Sequence, residues 1–156
     1  MKNNLNKNFG TACRAAAAEG AVLLKNEGDM LPLKKEEIVS VFGRCQFETY
    51  RSGTGSGGAV NVPYAVSIYE GMKESGSFSM NEELAEVYRE WLTEHPFDNG
   101  GGGWAAEPWH QTEMVITEEL VASAREKSEK AVFIIGRTAG EDKDYANEPG
   151  SYLLTP

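Results

Sequence analysis

Gly140-Glu141-Asp142-Lys143-Asp144 carries the densest chemistry in the chain. A carboxylate beside a glycine can approach a ligand closely, because no Cβ stands in the way. Asp142 and Asp144 flank Glu141 and repel its charged form, which predicts a raised pKa and so a general acid. Two other readings of the run stand beside that one. A run of charges is ordinarily a solvated loop, and Asp142, Asp144 and Glu148 are spaced like the opening of a calcium loop. The calcium reading fails by position, since Asn147 stands where a glycine is needed and Leu153 where a bidentate glutamate is needed.

Something must hold that loop at a rim, and the residues before it supply a candidate. Val132 to Ile135 is an unbroken apolar run, which predicts a strand covered on both faces and ended by Gly136. Ligands bind beyond the carboxyl ends of such strands in open α/β sheets. A helix capped by Thr117, with acids in its first turn, feeds this strand. Ile38 to Gly43 reads as an earlier core strand, followed by Arg44, Gln46, Tyr50 and Arg51. These four either line a site beside Glu141 or form an ordinary polar loop.

Ser52 to Tyr64 is rich in glycine. It lacks the Gly-Lys-Ser/Thr grip of a phosphate loop, and its glycines miss the dinucleotide spacing. Ser67 to Glu74 predicts a short helix ended by Gly76, Phe78 to Met80 a brief strand, and Asn81 to about Thr93 a second amphipathic helix. Its apolar stripe is Leu84, Val87, Tyr88, Trp91 and Leu92, with Trp91 read as core. A long loop from Pro96 to Trp109 follows. Trp104 and Trp109 there either stack on a sugar ring or pin the loop down. His95 ends a helix and His110 is solitary, so neither suits a metal site or triad. Near the N-terminus, an alanine-rich helix is predicted from a Thr11 cap to a stop at Asn26 to Gly28, with Lys25 and Asn26 as capping residues.

The segment Ile-Gly-Arg-Thr-Ala-Gly-Glu-Asp-Lys-Asp, followed by Gly-Ser-Tyr-Leu-Leu-Thr, resembles the acid/base segment of glycoside hydrolase family 3. Asp142 stands where that family commonly has glycine, and Tyr145 where arginine often follows. The run from Ala18 through Gly28 with Leu31-Pro-Leu, and the glycine-rich segment after the first strand, resemble the same family in the same order. The resemblance implies a three-layer α/β/α sandwich with a mostly parallel sheet. It implies retaining hydrolysis of a β-linked glycoside, with Glu141 as acid/base and the nucleophile supplied by a separate barrel domain. No Ser-Asp-Trp-type strand end for that nucleophile occurs here. The whole of 1–156 is therefore expected to be a partial, incomplete sandwich domain lacking its barrel, inactive alone, and preceding the barrel in the chain. Thr155-Pro156 reads as the start of a further helix.

Arg44, Tyr50, Trp104 and Trp109 are the expected substrate contacts. A non-catalytic sugar-binding or structural module is the alternative, and a nucleotide- or flavin-binding module using Gly53 to Gly58 a weaker one. Composition permits each: of 156 residues, 40% are hydrophobic and 25% charged, as in ordinary globular domains. A net charge of −9 opposes nucleic acid or an anionic membrane as partner. No run approaches the ~18 apolar residues of a membrane span, so a cytoplasmic protein is expected. Cys13 and Cys45 stand far apart, with no CxxC and no histidine at ligand spacing, so neither a disulfide framework nor a zinc site is expected, and no cofactor is expected. Unpaired strand edges predict a homodimer or strand exchange in isolation.

Overall fold

Ile38–Phe42 forms the central strand, β1, as its branched and aromatic run requires; Val39, Val41 and Phe42 are all buried. The computed structural model describes residues 7–58, 62 and 64–155. Ser79–Met80 (β2) and Lys130–Phe133 (β3) lie on either side of β1, both parallel to it, in the order β2-β1-β3. Register pairs Ile38 with Ser79 and Phe42 with Phe133. A parallel pair needs a crossover between its strands. Here Ile68–Ser75 (α2) precedes β2, and Glu82–Glu94 (α3) and Glu118–Lys127 (α4) intervene before β3.

Local chemistry explains the helix boundaries. Ser67 and Glu70 form a reciprocal capping box at the start of α2, and Gly76 ends it in the left-handed conformation. Asn81 caps α3 by accepting from the Leu84 N–H at 3.2 Å, and Thr117 caps α4 by accepting from Leu120. Asn81 also donates to the Ser40 hydroxyl at 2.9 Å, tying the start of α3 to β1. Leu84 and Tyr88 of α3, and Ala124 of α4, close over Phe42, with Leu120 and Met114 at the margin. Trp91 is only half-buried, with its ring stacked on His95 at 4.1 Å.

Three sequence expectations need correction. The strand near residue 132 starts at Lys130, ends at Phe133 and is not covered on both faces: Phe133 is 64% exposed although it stacks on Phe42 at 5.0 Å. The cause is position, since β3 is an edge of the described sheet and Ile135 beyond it is also exposed. The N-terminal helix, Lys7–Gly20 (α1), includes Thr11 rather than being capped by it, and it ends at Gly20 instead of near Asn26. Glycine is a poor helix residue, and Val22, Leu23 and Leu24 after it are exposed in irregular chain. Asn26 accordingly clips a turn instead of a helix, accepting from the Leu31 N–H at 3.0 Å and donating to the Leu31 carbonyl at 2.9 Å. This segment forms a unit of its own that ends at Pro32.

Pro156, half of the predicted further helix start, lies outside the described residues, as do residues 59–61 and 63 of the glycine-rich segment. No helix among the described residues is long and apolar enough to cross a membrane.

Candidate functional site

Beyond the carboxyl ends of β1 and β3, two loops far apart in sequence run side by side. Thr54 and Gly140 form an isolated parallel bridge, with the Thr54 N–H donating to the Ala139 carbonyl at 3.1 Å and the Glu141 N–H to the Thr54 carbonyl at 3.3 Å. Such contact requires bare backbone. A Cβ at Gly140 would stand 2.6 Å from the Thr54 carbonyl oxygen, and one at Gly55 would stand 2.5 Å from the Cβ of Glu141. Gly55 also has φ +82°, a conformation other residues resist. The glycine-rich segment is thus a cradle for the acidic loop.

Ser56 grips the Glu141 side chain directly. Its hydroxyl donates to Oε2 at 2.6 Å and its N–H to the same oxygen at 3.0 Å. The carboxyl is consequently held below the usual carboxylate range, first by the hydroxyl bond and then by the backbone bond. This reverses the expected upward shift. Glu141 is exposed, so water screens the neighbouring aspartates while the two short bonds act at contact. Asp142 also has another partner, accepting from the Trp104 indole N–H at 3.0 Å.

Trp104 is 59% exposed beside this loop and borders a cleft of about 400 Å³ with Thr54, Gly55, Asn99 and Glu107. Trp109 is half-buried and fastens the loop instead. Its carbonyl accepts from the Thr138 N–H at 2.8 Å, and the Lys143 ammonium lies 5.6 Å from its ring centre. Both tryptophans thus touch the acidic loop, and Trp104 keeps the more open face.

Arg44 and Tyr50 sit elsewhere in role. Arg44 is 1% exposed; its guanidinium pairs with Glu48 and donates to the carbonyls of Thr112 at 2.9 Å and His95 at 2.8 Å. With its charge turned inward it fastens the turn after β1 to the end of α3 and the chain near residue 112. Its N–H donates to Glu113, whose carboxyl is raised above the ordinary range by partial withdrawal from water. The Tyr50 hydroxyl accepts from the Gln111 amide at 3.0 Å, and Gln111 also brackets Asp98 through both its N–H and carbonyl. Gln46 is buried against the Val41 and Gly43 carbonyls, while Arg51 is exposed. Burial pushes the Cys45 thiol up to about 11, and Cys13 is exposed and unpaired as a thiol.

Sequence reasoning singled out Glu141 and missed Ser56 and Gln111. Ser56 lies in the glycine-rich segment whose bare backbone signals close approach to a sugar, a barrel or a neighbouring loop, but nothing in the segment names Glu141 as what it approaches. Gln111 offered no signal, because its partners lie 13 and 61 residues away. Among the described residues no three His, Cys, Asp or Glu side chains converge as a metal set.

Against known proteins, residues 21–151 match the family model described as the glycosyl hydrolase family 3 C-terminal domain. Over 138 residues the chain is 51% identical to a β-glucosidase of Ruminococcus albus, a stretch covering 88% of this chain and 14% of that protein. Its fold superposes on a novel β-glucosidase from Paenibacillus barengoltzii with a TM-score of 0.93 at 62% identity, covering 96% of this chain and 16% of that one. The β-glucosidase 3B from Thermotoga neapolitana, solved in complex with α-D-glucose, matches with a TM-score of 0.82 at 32% identity, covering 95% and 20%. The chain therefore spans between 14% and 20% of the length of these relatives.

Proposed function

The chain belongs to glycosyl hydrolase family 3, within its C-terminal domain, and from that premise we propose that it supplies the general acid/base of a retaining β-glucosidase-type enzyme. The observation that carries the reading is Glu141: an exposed carboxylate at the rim beyond the parallel strands, held by a cradle made for it. A retaining hydrolase uses two carboxyl groups about 5 Å apart. One attacks the anomeric carbon as the other protonates the departing glycosidic oxygen; the second then takes a proton from the water that frees the sugar. Glu141 fills the second role, and a carboxylate from another domain fills the first.

The two bonds from Ser56, which favour the anionic form of Glu141, fit that division. A carboxyl stabilised as an anion serves directly as base, and the approach of a second carboxylate raises its proton affinity for the acid step. Trp104 offers its exposed face beside Asp142 to the group leaving with the glycosidic oxygen. The open edge of β3 receives further strands of the same domain, and the barrel docks over the rim. Without that docking, the nucleophile of the reaction is not in place and the chain by itself is expected not to hydrolyse glycosides.

In the full-length enzyme, Glu141→Gln is expected to lower kcat for a poor leaving group by about 10²- to 10⁴-fold with the fold intact. Unchanged kcat would reject the assignment.

A further inference from the structure

Both hydrogen bonds from Ser56 fall on one oxygen of Glu141, Oε2, and none falls on Oε1 among the described residues. An oxygen already accepting an O–H at 2.6 Å and an N–H at 3.0 Å is a poor place for a proton. The other oxygen is left to carry it. We propose that Ser56 is a positioning residue that makes the two oxygens of Glu141 unequal, assigning Oε2 to the cradle and Oε1 to proton transfer.

This rests on the acid/base reading and deepens it. In the first half-reaction the proton on Oε1 passes to the glycosidic oxygen as its bond to the anomeric carbon breaks and the nucleophile's bond to that carbon forms. In the second, Oε1 takes a proton from water as the water oxygen displaces the nucleophile. Oε2 keeps its two donors throughout, so the side chain need not turn between the steps. Gly55 makes the grip possible, because a Cβ there would stand 2.9 Å from Oε2 and 2.5 Å from the Glu141 Cβ.

The other charges around Glu141 lie on its own loop or border the facing cleft. Asp142 is bound to Trp104, and Lys143 lies against the Ala105 carbonyl and the Trp109 ring. Asp144 follows on the same loop, the Gly53 to Gly58 segment carries no charge, and Glu107 borders the facing cleft. Ser56 is itself exposed, so its substitution spares the core.

The test is a carbon-13 titration of the Glu141 carboxyl in this chain, as wild type, Ser56→Ala and Ser56→Thr, joined to pH–rate profiles of the same variants in the full-length enzyme. Ser56→Ala should move the titration midpoint upward, carry the alkaline limb of kcat/KM upward with it, and lower its plateau about tenfold. Ser56→Thr, which keeps the hydroxyl, should restore both. An unmoved midpoint and limb in Ser56→Ala, or a Ser56→Thr variant that behaves like Ser56→Ala, overturns the proposal. Its failure is separable from that of the acid/base reading: an active Glu141→Gln enzyme sinks the reading, whereas an inactive one with an unmoved Ser56→Ala limb sinks only the role of Ser56.

Discussion

Glu141 and Arg44 both sit in polar segments beyond the carboxyl ends of parallel strands, yet one lies at the rim in water and the other is shut inside. Glu141 is held from outside, by the hydroxyl and backbone of a loop 85 residues away, and keeps one oxygen unoccupied by the described residues. Arg44 is held from within, by Glu48 and two carbonyls, and keeps almost no surface. Polar type and place after a strand do not separate the two roles. What separates them is whether the fold has already satisfied the group's hydrogen-bonding capacity, because a satisfied buried group specifies structure and an unsatisfied exposed one is free for a ligand.

The sharpest way to break this contrast is to disturb the rim without touching the interior. Gly55→Ala drives a Cβ into the Glu141 side chain, and in the full-length enzyme it should cost about 100-fold in kcat, since displacements near 1 Å carry losses of that order. Steady-state kinetics with a poor leaving group checks it. The converse change is Arg44→Met. It should destabilise the chain by about 3 kcal/mol, read by urea unfolding, because Glu48 and two carbonyls lose their buried partner. Tyr50→Phe removes one acceptor from the Gln111 amide and should cost about 1 kcal/mol in the same measurement.

The smallest effect is the most diagnostic of environment. Glu113, raised by partial withdrawal from water, is protonated more readily folded than unfolded, so its contribution is present at acid pH and lost as pH rises through the raised value. Glu141, lowered by Ser56, behaves oppositely: its contribution is present above the ordinary carboxylate value and lost as pH falls through the lowered one. Thermal melts between about pH 3 and pH 7 should therefore show Glu113→Gln gaining on wild type as pH rises, and Glu141→Gln gaining as pH falls.

The parts of the fold that local chemistry writes were readable in advance. Ser67 and Thr117 cap their helices as expected, Asn81 stands at the start of the helix expected to open there, and the run from Ile38 forms the strand expected of it. The resemblance to the family is matched over residues 21–151. What escaped was non-local. The alanine-rich helix α1 has few boundary signals, so its limits were misplaced at both ends. Glu141 lies 85 residues from the serine that sets its charge, and nothing adjacent to it reveals that partner. Counting neighbouring aspartates gave the wrong sign because exposed charges are screened and contact hydrogen bonds are not. The coverage of β3 was misjudged because an apolar run reports what a strand can bury, and this one is an edge among the described strands.

The most direct measurement is the product formed when Glu141→Ala is placed in the full-length enzyme and given an activated aryl β-glucoside with azide. If Glu141 protonates the leaving group and later activates water, azide should restore turnover and the product should be the β-configured glucosyl azide. Turnover equal to wild type without azide, or azide that neither accelerates the variant nor appears in the product, would contradict the account.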